Sequence, residues 1–109
     1  MRWSIVFLDA RVESELLAMP SDFVARLLRY AERMETYGPD LGMPHTRAMG
    51  GGLFELRLTG REGIARVFYC TQGDRRVVIL HYFVKKSRKT PIKDLAIARR
   101  RLKEAKDAF

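Results

Sequence analysis

Five residues in the second half of the chain, Arg57, Arg66, His81, Phe83 and Lys85, have the types and spacing to hold a phosphate beside a base. Arginine and lysine grip phosphate oxygens through charge-assisted hydrogen bonds. An aromatic ring such as Phe83 offers a stacking surface worth about 1–3 kcal/mol per base. Splayed bases held in this way are the usual target of sequence-specific RNA recognition. Strand alternation is what would bring the five together. Arg57 and Glu55 oppose Phe54, Leu56 and Leu58; Arg66, with Ile64 and Phe68, opposes Ala65, Val67 and Tyr69; His81, Phe83 and Lys85, with Ile79, oppose Val78, Leu80, Tyr82 and Val84. Helices should cover the apolar set and leave the cationic set to solvent, in one water-accessible hollow. Which face of the last two strands meets the helices stays open, because both faces are apolar. Glu55 and Arg57 could instead form cross-strand pairs, and His81 could be a satisfied core histidine. Against the pairing stands the mutual repulsion of several cations on one face.

A second constellation follows directly. Lys85, Lys86, Arg88 and Lys89 are separated only by Ser87, with no acid among them. Such a cluster is a phosphate footprint, or else a generic basic loop. The charge distribution agrees with the first reading. Net charge is +8, but residues 1–56 carry 6 Lys/Arg against 8 Asp/Glu and residues 57–109 carry 15 against 5. A lopsided excess of this kind suits nucleic acid or an acidic partner. Arg99, Arg100, Arg101 and Lys103 could extend the footprint, form a solvated helix face, or dock an acidic protein.

The elements that must position these groups are legible in outline. Trp3–Leu8 reads as a strand, and Asp9 can cap a short helix to about Ala18. Pro20 breaks it, and Ser21 or Asp22 starts a second helix. There Phe23, Leu27, Tyr30, Met34 and Tyr37 recur on one face as a core stripe. Gly38-Pro39 ends that helix. Residues 38–52 read as an irregular loop, with Gly50-Gly51-Gly52 as a flexible turn rather than a phosphate loop. Strands are expected at about 53–59, 63–71 and 75–84, joined by short turns into an antiparallel meander. Thr90 caps a last helix with Pro91 at its first position. Ile92, Leu95, Ala96, Arg99 and Leu102 should trace its inner side. The expectation is a single α+β domain over residues 1–109, with two N-terminal helices packed on one face of the sheet and a C-terminal helix.

Composition closes off several classes. At 109 residues, 47% hydrophobic and 10% aromatic, the chain suits one folded domain with a modest core. Cys70 is the only cysteine, so neither an internal disulfide nor a cysteine-based metal cluster is expected. The absence of disulfides fits a cytoplasmic location. No segment approaches a membrane span, and Trp3–Leu8 is too short for a signal peptide. No cofactor or metal is called for.

Three segments together resemble the RelE/ParE toxin superfamily. They are Leu53-Phe54-Glu55-Leu56-Arg57, Arg66-Val67-Phe68-Tyr69, and Val78 through Pro91. They are most similar to the HigB-like, phage-derived branch, with its pattern LxELR … RxxY … LLHxFxKKxxKTP. Tyr82 departs from it, standing where a small residue is common. The resemblance implies a small RelE-like fold and the toxin half of a type II toxin–antitoxin pair. Such toxins often cleave mRNA in the ribosomal A site, and a helix-turn-helix antitoxin neutralises them in a hetero-oligomer. The family's cationic positions would fall on Arg57, Arg66, Lys85 and Lys86.

Under that resemblance, cleavage runs by attack of a ribose 2′-OH on its own 3′-phosphate. It needs a base, cations for the developing charge and an acid for the departing 5′-oxygen. Arg57 and Arg66 would clamp the phosphate. Lys85 would act as base or charge stabiliser, and neighbouring cations would lower its pKa. His81 could carry a proton if accessible. Phe83, Lys86, Arg88 and Lys89 would bind RNA. The chain has no paired-histidine arrangement of the kind seen in many stand-alone ribonucleases, which counts against ribosome-free cleavage. Alternatives are a ParE-like toxin acting on DNA gyrase, a non-catalytic nucleic-acid-binding module, and an inactive phage remnant.

Overall fold

The computed structural model describes residues 2–86 and 89–108. In chain order the elements are β1 (Ser4–Phe7), α1 (Ala10–Leu17), α2 (Ser21–Tyr37), β2 (Thr46–Gly50), β3 (Leu53–Gly60), β4 (Gly63–Gln72), β5 (Arg76–Lys85) and α3 (Ile92–Ala108). The class is α+β, with a five-stranded open sheet in the order β1-β5-β4-β3-β2.

Local chemistry accounts for the helix starts and stops. Asp9 Oδ1 accepts from Val12 N at 2.9 Å and so caps α1. Gly38 ends α2 with φ of 86°, a conformation that favours glycine. From α1 and α2, Val12, Leu16, Phe23, Leu27, Tyr30 and Met34 are buried against one face of the sheet. Tyr37, expected to continue that stripe, is the last residue of α2 and is 72% exposed.

The other sheet face is covered in part by α3, which packs Ala98, Leu102 and Ala105 onto Leu53, Phe68, Cys70, Val78 and Leu80. Its inner side is rotated from the expected one. Arg101 is buried, whereas Ala96 is exposed and Ile92 is 87% exposed. The rotation is possible because the Arg101 guanidinium finds partners indoors, at Leu80 O (2.9 Å) and Glu15 Oε1 (3.0 Å).

Two expectations are corrected. The sheet is mixed rather than wholly antiparallel, since β1 pairs in parallel with β5, Ser4 opposite Arg76 and Phe7 opposite Ile79. The connection that a parallel neighbour requires runs through α1, α2 and the three strands between them and β5. The segment 38–52 is not all loop, because Thr46–Gly50 forms an edge strand antiparallel to β3. Nor is the triple-glycine turn left loose. Arg99 donates to Gly50 O (2.7 Å) and Met49 O (3.0 Å), tying the β2–β3 hairpin to α3. Gly50, Gly51 and Gly52 all have positive φ, which side-chain-bearing residues rarely adopt in succession.

A bulge in β5 sets the geometry of the cationic face. Phe68 pairs with His81 but Tyr69 pairs with Ile79, leaving Leu80 as the extra residue. Strand parity therefore switches at that point. Val77, Ile79, Tyr82 and Val84 belong to the α1–α2 side. Val78, Leu80 and Phe83 belong to the α3 side. The simple alternation expected for the whole strand holds only in each half separately.

Candidate nucleic-acid interface

Sheet register assembles the site. Arg57 on β3 lies directly opposite Arg66 on β4, and Arg66 lies opposite Phe83 on β5. One step beyond the Thr46–Leu56 pair, Arg57 N donates to His45 O at 2.8 Å. Arg57, Arg66 and Phe83 thus form a row across three strands, with His45, in the turn just before β2, next to its end. A second row starts with Arg47 opposite Glu55. Lys85 lies across from Ile64, two residues along β4 from Arg66. Opposed residues share a face, with side chains in contact range.

The electrostatics of this face are unbalanced. Glu55, whose side chain is 1% exposed, accepts at Oε1 from Arg66 Nη1 (2.8 Å) and Arg47 Nη2 (3.2 Å). Among the described residues it is the one carboxylate lining the hollows that Arg47, Arg57, Arg66 and Lys85 border. Like charges directly opposed on a sheet repel, yet Arg57 faces Arg66. The Nε atoms of both are buried and have no hydrogen-bond partner among the described residues. Glu55 holds the Arg66 guanidinium in place without neutralising the whole group. The Arg66 charge also depresses the Lys85 pKa below the usual lysine range, followed by desolvation and then the Arg57 charge, with Glu55 opposing.

Two adjoining hollows open on this face rather than one. The first, about 130 Å³, is lined by residues including His45, Arg47, Glu55, Arg57 and Arg66. The second, about 40 Å³, is lined by Arg47, Arg66, Phe83, Lys85, Lys89 and Thr90. Both are bordered by Arg47 and Arg66, which share a bond to Glu55.

The structure brings Arg57, Arg66 and Lys85 to one face and turns His81 away from both hollows. His81 Nε2 bonds Asp94 Oδ1 at 2.8 Å, Arg101 Nη1 lies 3.4 Å from its Nδ1, and its side chain is 13% exposed. It belongs to the seam beneath α3. Phe83 is buried, stacked on Phe68 with ring centroids 5.7 Å apart. It lines the second hollow but offers no broad exposed face for a base. Lys86 is exposed and Lys89 lines the second hollow. Arg88 lies outside the described residues. Of the arginines on α3, Arg99 and Arg101 are spent on internal bonds.

Three participants escaped sequence reasoning: His45, Arg47 and the bridging role of Glu55. The first two sit in the segment read as loop. Their one local signal is the strand-length stretch running into the triple-glycine turn. Among the described residues, no group of three or more His, Cys, Asp or Glu side chains is placed to hold a metal ion. No helix among them is long and apolar enough to cross a membrane.

The family model described as phage derived protein Gp49-like matches residues 14–103, a span that contains both hollows. No curated protein matches the chain.

Proposed function

The chain belongs to the phage-derived Gp49-like family, which is associated with toxins of the RelE type, and from this we propose that it is the toxin of a type II toxin–antitoxin pair. In this reading it is of the HigB-like branch and cleaves mRNA on the ribosome, so it acts in the cytoplasm. A helix-turn-helix antitoxin restrains it in a hetero-oligomer. The observation that carries the reading is the surplus of cations around the opposed Arg57–Arg66 pair, with a single buried carboxylate to offset them. An anionic ligand relieves that repulsion, and a phosphodiester supplies one.

The chemistry assigned to the site is transesterification. The 2′-oxygen attacks the 3′-phosphorus while the bond from phosphorus to the 5′-oxygen breaks, leaving a 2′,3′-cyclic phosphate and a 5′-hydroxyl. Arg57 and Arg66 stabilise the charge that builds on the non-bridging oxygens. Lys85, its pKa lowered by Arg66, takes the 2′-OH proton as the neutral amine. Lys86, Arg88 and Lys89 hold flanking phosphates, and the edge of Phe83 limits the second hollow. His81 supports α3.

The pH dependence follows from this assignment. A base must be unprotonated, so cleavage rises with pH on the limb that the Lys85 pKa sets. Because Arg66 holds that pKa down, Arg66→Gln moves the rising limb to higher pH, towards ordinary lysine. Rate–pH profiles on programmed ribosomes read the shift. An unmoved limb removes Lys85 from the role of base. In cells, induced expression should halt growth with loss of mRNA, and Lys85→Ala should relieve it. Arrest with intact mRNA and a DNA-damage response would instead indicate a gyrase-directed toxin.

A further inference from the structure

With His81 tied beneath α3, the proposed reaction lacks a donor for the departing 5′-oxygen. His45 is the other histidine of the chain, and it lines the first hollow beside Arg57 and Arg66. We propose that His45 is the general acid of this site, protonating the 5′-oxygen as its bond to phosphorus breaks. The proposal rests on the ribonuclease reading and deepens it.

Three observations support the assignment. Position comes first. His45 stands next to the end of the row that runs through Arg57 and Arg66, and Lys85 extends from β5 at the other side. β2 and β5 are three strand spacings apart, about 14 Å. His45 borders the first hollow and Lys85 the second, with Arg66 common to both, so a phosphate on Arg66 lies between the two groups. In-line displacement needs that arrangement, because the attacking and departing oxygens lie on opposite sides of phosphorus.

The second observation is orientation. Tyr30 Oη lies 3.1 Å from His45 Nδ1, and the two rings are 5.3 Å apart. A phenol both donates and accepts. It accepts from Nδ1–H of the imidazolium and still accepts from that Nδ1–H once Nε2 has lost its proton, so the ring stays fixed in both states. Nε2 has no hydrogen-bond partner among the described residues. Third, Tyr30 is itself fixed, buried on α2 in the main core.

The proton balance closes. The 2′-OH proton passes to Lys85 Nζ, the His45 Nε2 proton passes to the 5′-oxygen, and exchange with water restores both groups. An imidazole is the side chain best suited to give up a proton near neutral pH.

The test uses two messages, identical except at the cleaved linkage, where one carries a bridging 5′-sulfur in place of oxygen. A thiolate leaves without a proton, so the acid becomes dispensable. His45→Gln should cut the normal message about 100-fold more slowly than wild type, within the usual range for general acid catalysis. It should cut the sulfur message at close to the wild-type rate. Tyr30→Phe, which removes only the hydroxyl, should show a smaller defect with the same selectivity. Equal loss on both messages, or no loss on either, overturns the role of His45 while the ribonuclease reading stands. If wild type cuts neither message on ribosomes, the ribonuclease reading itself fails, and the acid with it.

Discussion

Arg66→Ala should lower mRNA cleavage by about 100- to 1,000-fold, the usual cost of removing one preorganised donor from a site of developing negative charge. The size follows from where Arg66 sits. It opposes Arg57, borders both hollows, bonds the buried Glu55 and is the largest influence on the Lys85 pKa. One substitution therefore weakens the phosphate clamp and raises the pKa of the base together. Arg66→Lys keeps a charge but loses the fork that bonds Glu55 and phosphate at once, so it should recover only part of the rate. Glu55 keeps Arg47 in either variant, so the fold should persist, which circular dichroism can verify. A fully active Arg66→Ala would remove the cationic pair from the mechanism.

Arg101→Ala should have the largest effect on stability, about 2–3 kcal/mol, because it leaves the buried Leu80 carbonyl without its donor and Glu15 without its partner. For a domain of this size the midpoint of thermal unfolding should drop by roughly 10 °C. The loss is below the usual cost of breaking a buried ion pair because Glu15 retains some exposure and a contact with Arg11. Activity should fall as well, though less steeply. Arg101 anchors α3 to β5, and α3 carries the Arg99 clamp on the β2–β3 hairpin that presents His45 and Arg47. Thermal melts with and without high salt measure the change. An unchanged midpoint would mean that α3 is held by its apolar contacts alone.

How far the site could be read from the chain depended on where regular alternation held. Along β3 and the first part of β4 it held, so Arg57 and Arg66 could be placed together, away from Leu56, Leu58 and Val67. Along β5 it failed at Leu80, because a bulge leaves no mark in an unbroken apolar run such as Val77–Leu80. The partner of β1 was hidden for another reason. Its pairing with β5 spans most of the chain and no turn announces it. β2 was masked by its surroundings, since glycine and proline before a five-residue strand and glycines after it read as loop. Arg101 and Glu55 defied the rule that charges stay outside, Arg101 through partners distant in sequence and Glu55 through arginines on the two neighbouring strands. His45 became visible only with the hollow it lines, because a lone histidine beside a proline gives no pattern of its own.

The central claim is that this cationic face breaks phosphodiester bonds by 2′-OH attack. Ribosomes programmed with a labelled message, incubated with the purified chain and mapped at both new ends, test it most directly. The account predicts upstream fragments ending in a 2′,3′-cyclic phosphate and downstream fragments beginning with a 5′-hydroxyl, both absent with Arg66→Ala. Full-length message, or fragments bearing a 5′-phosphate, would contradict it.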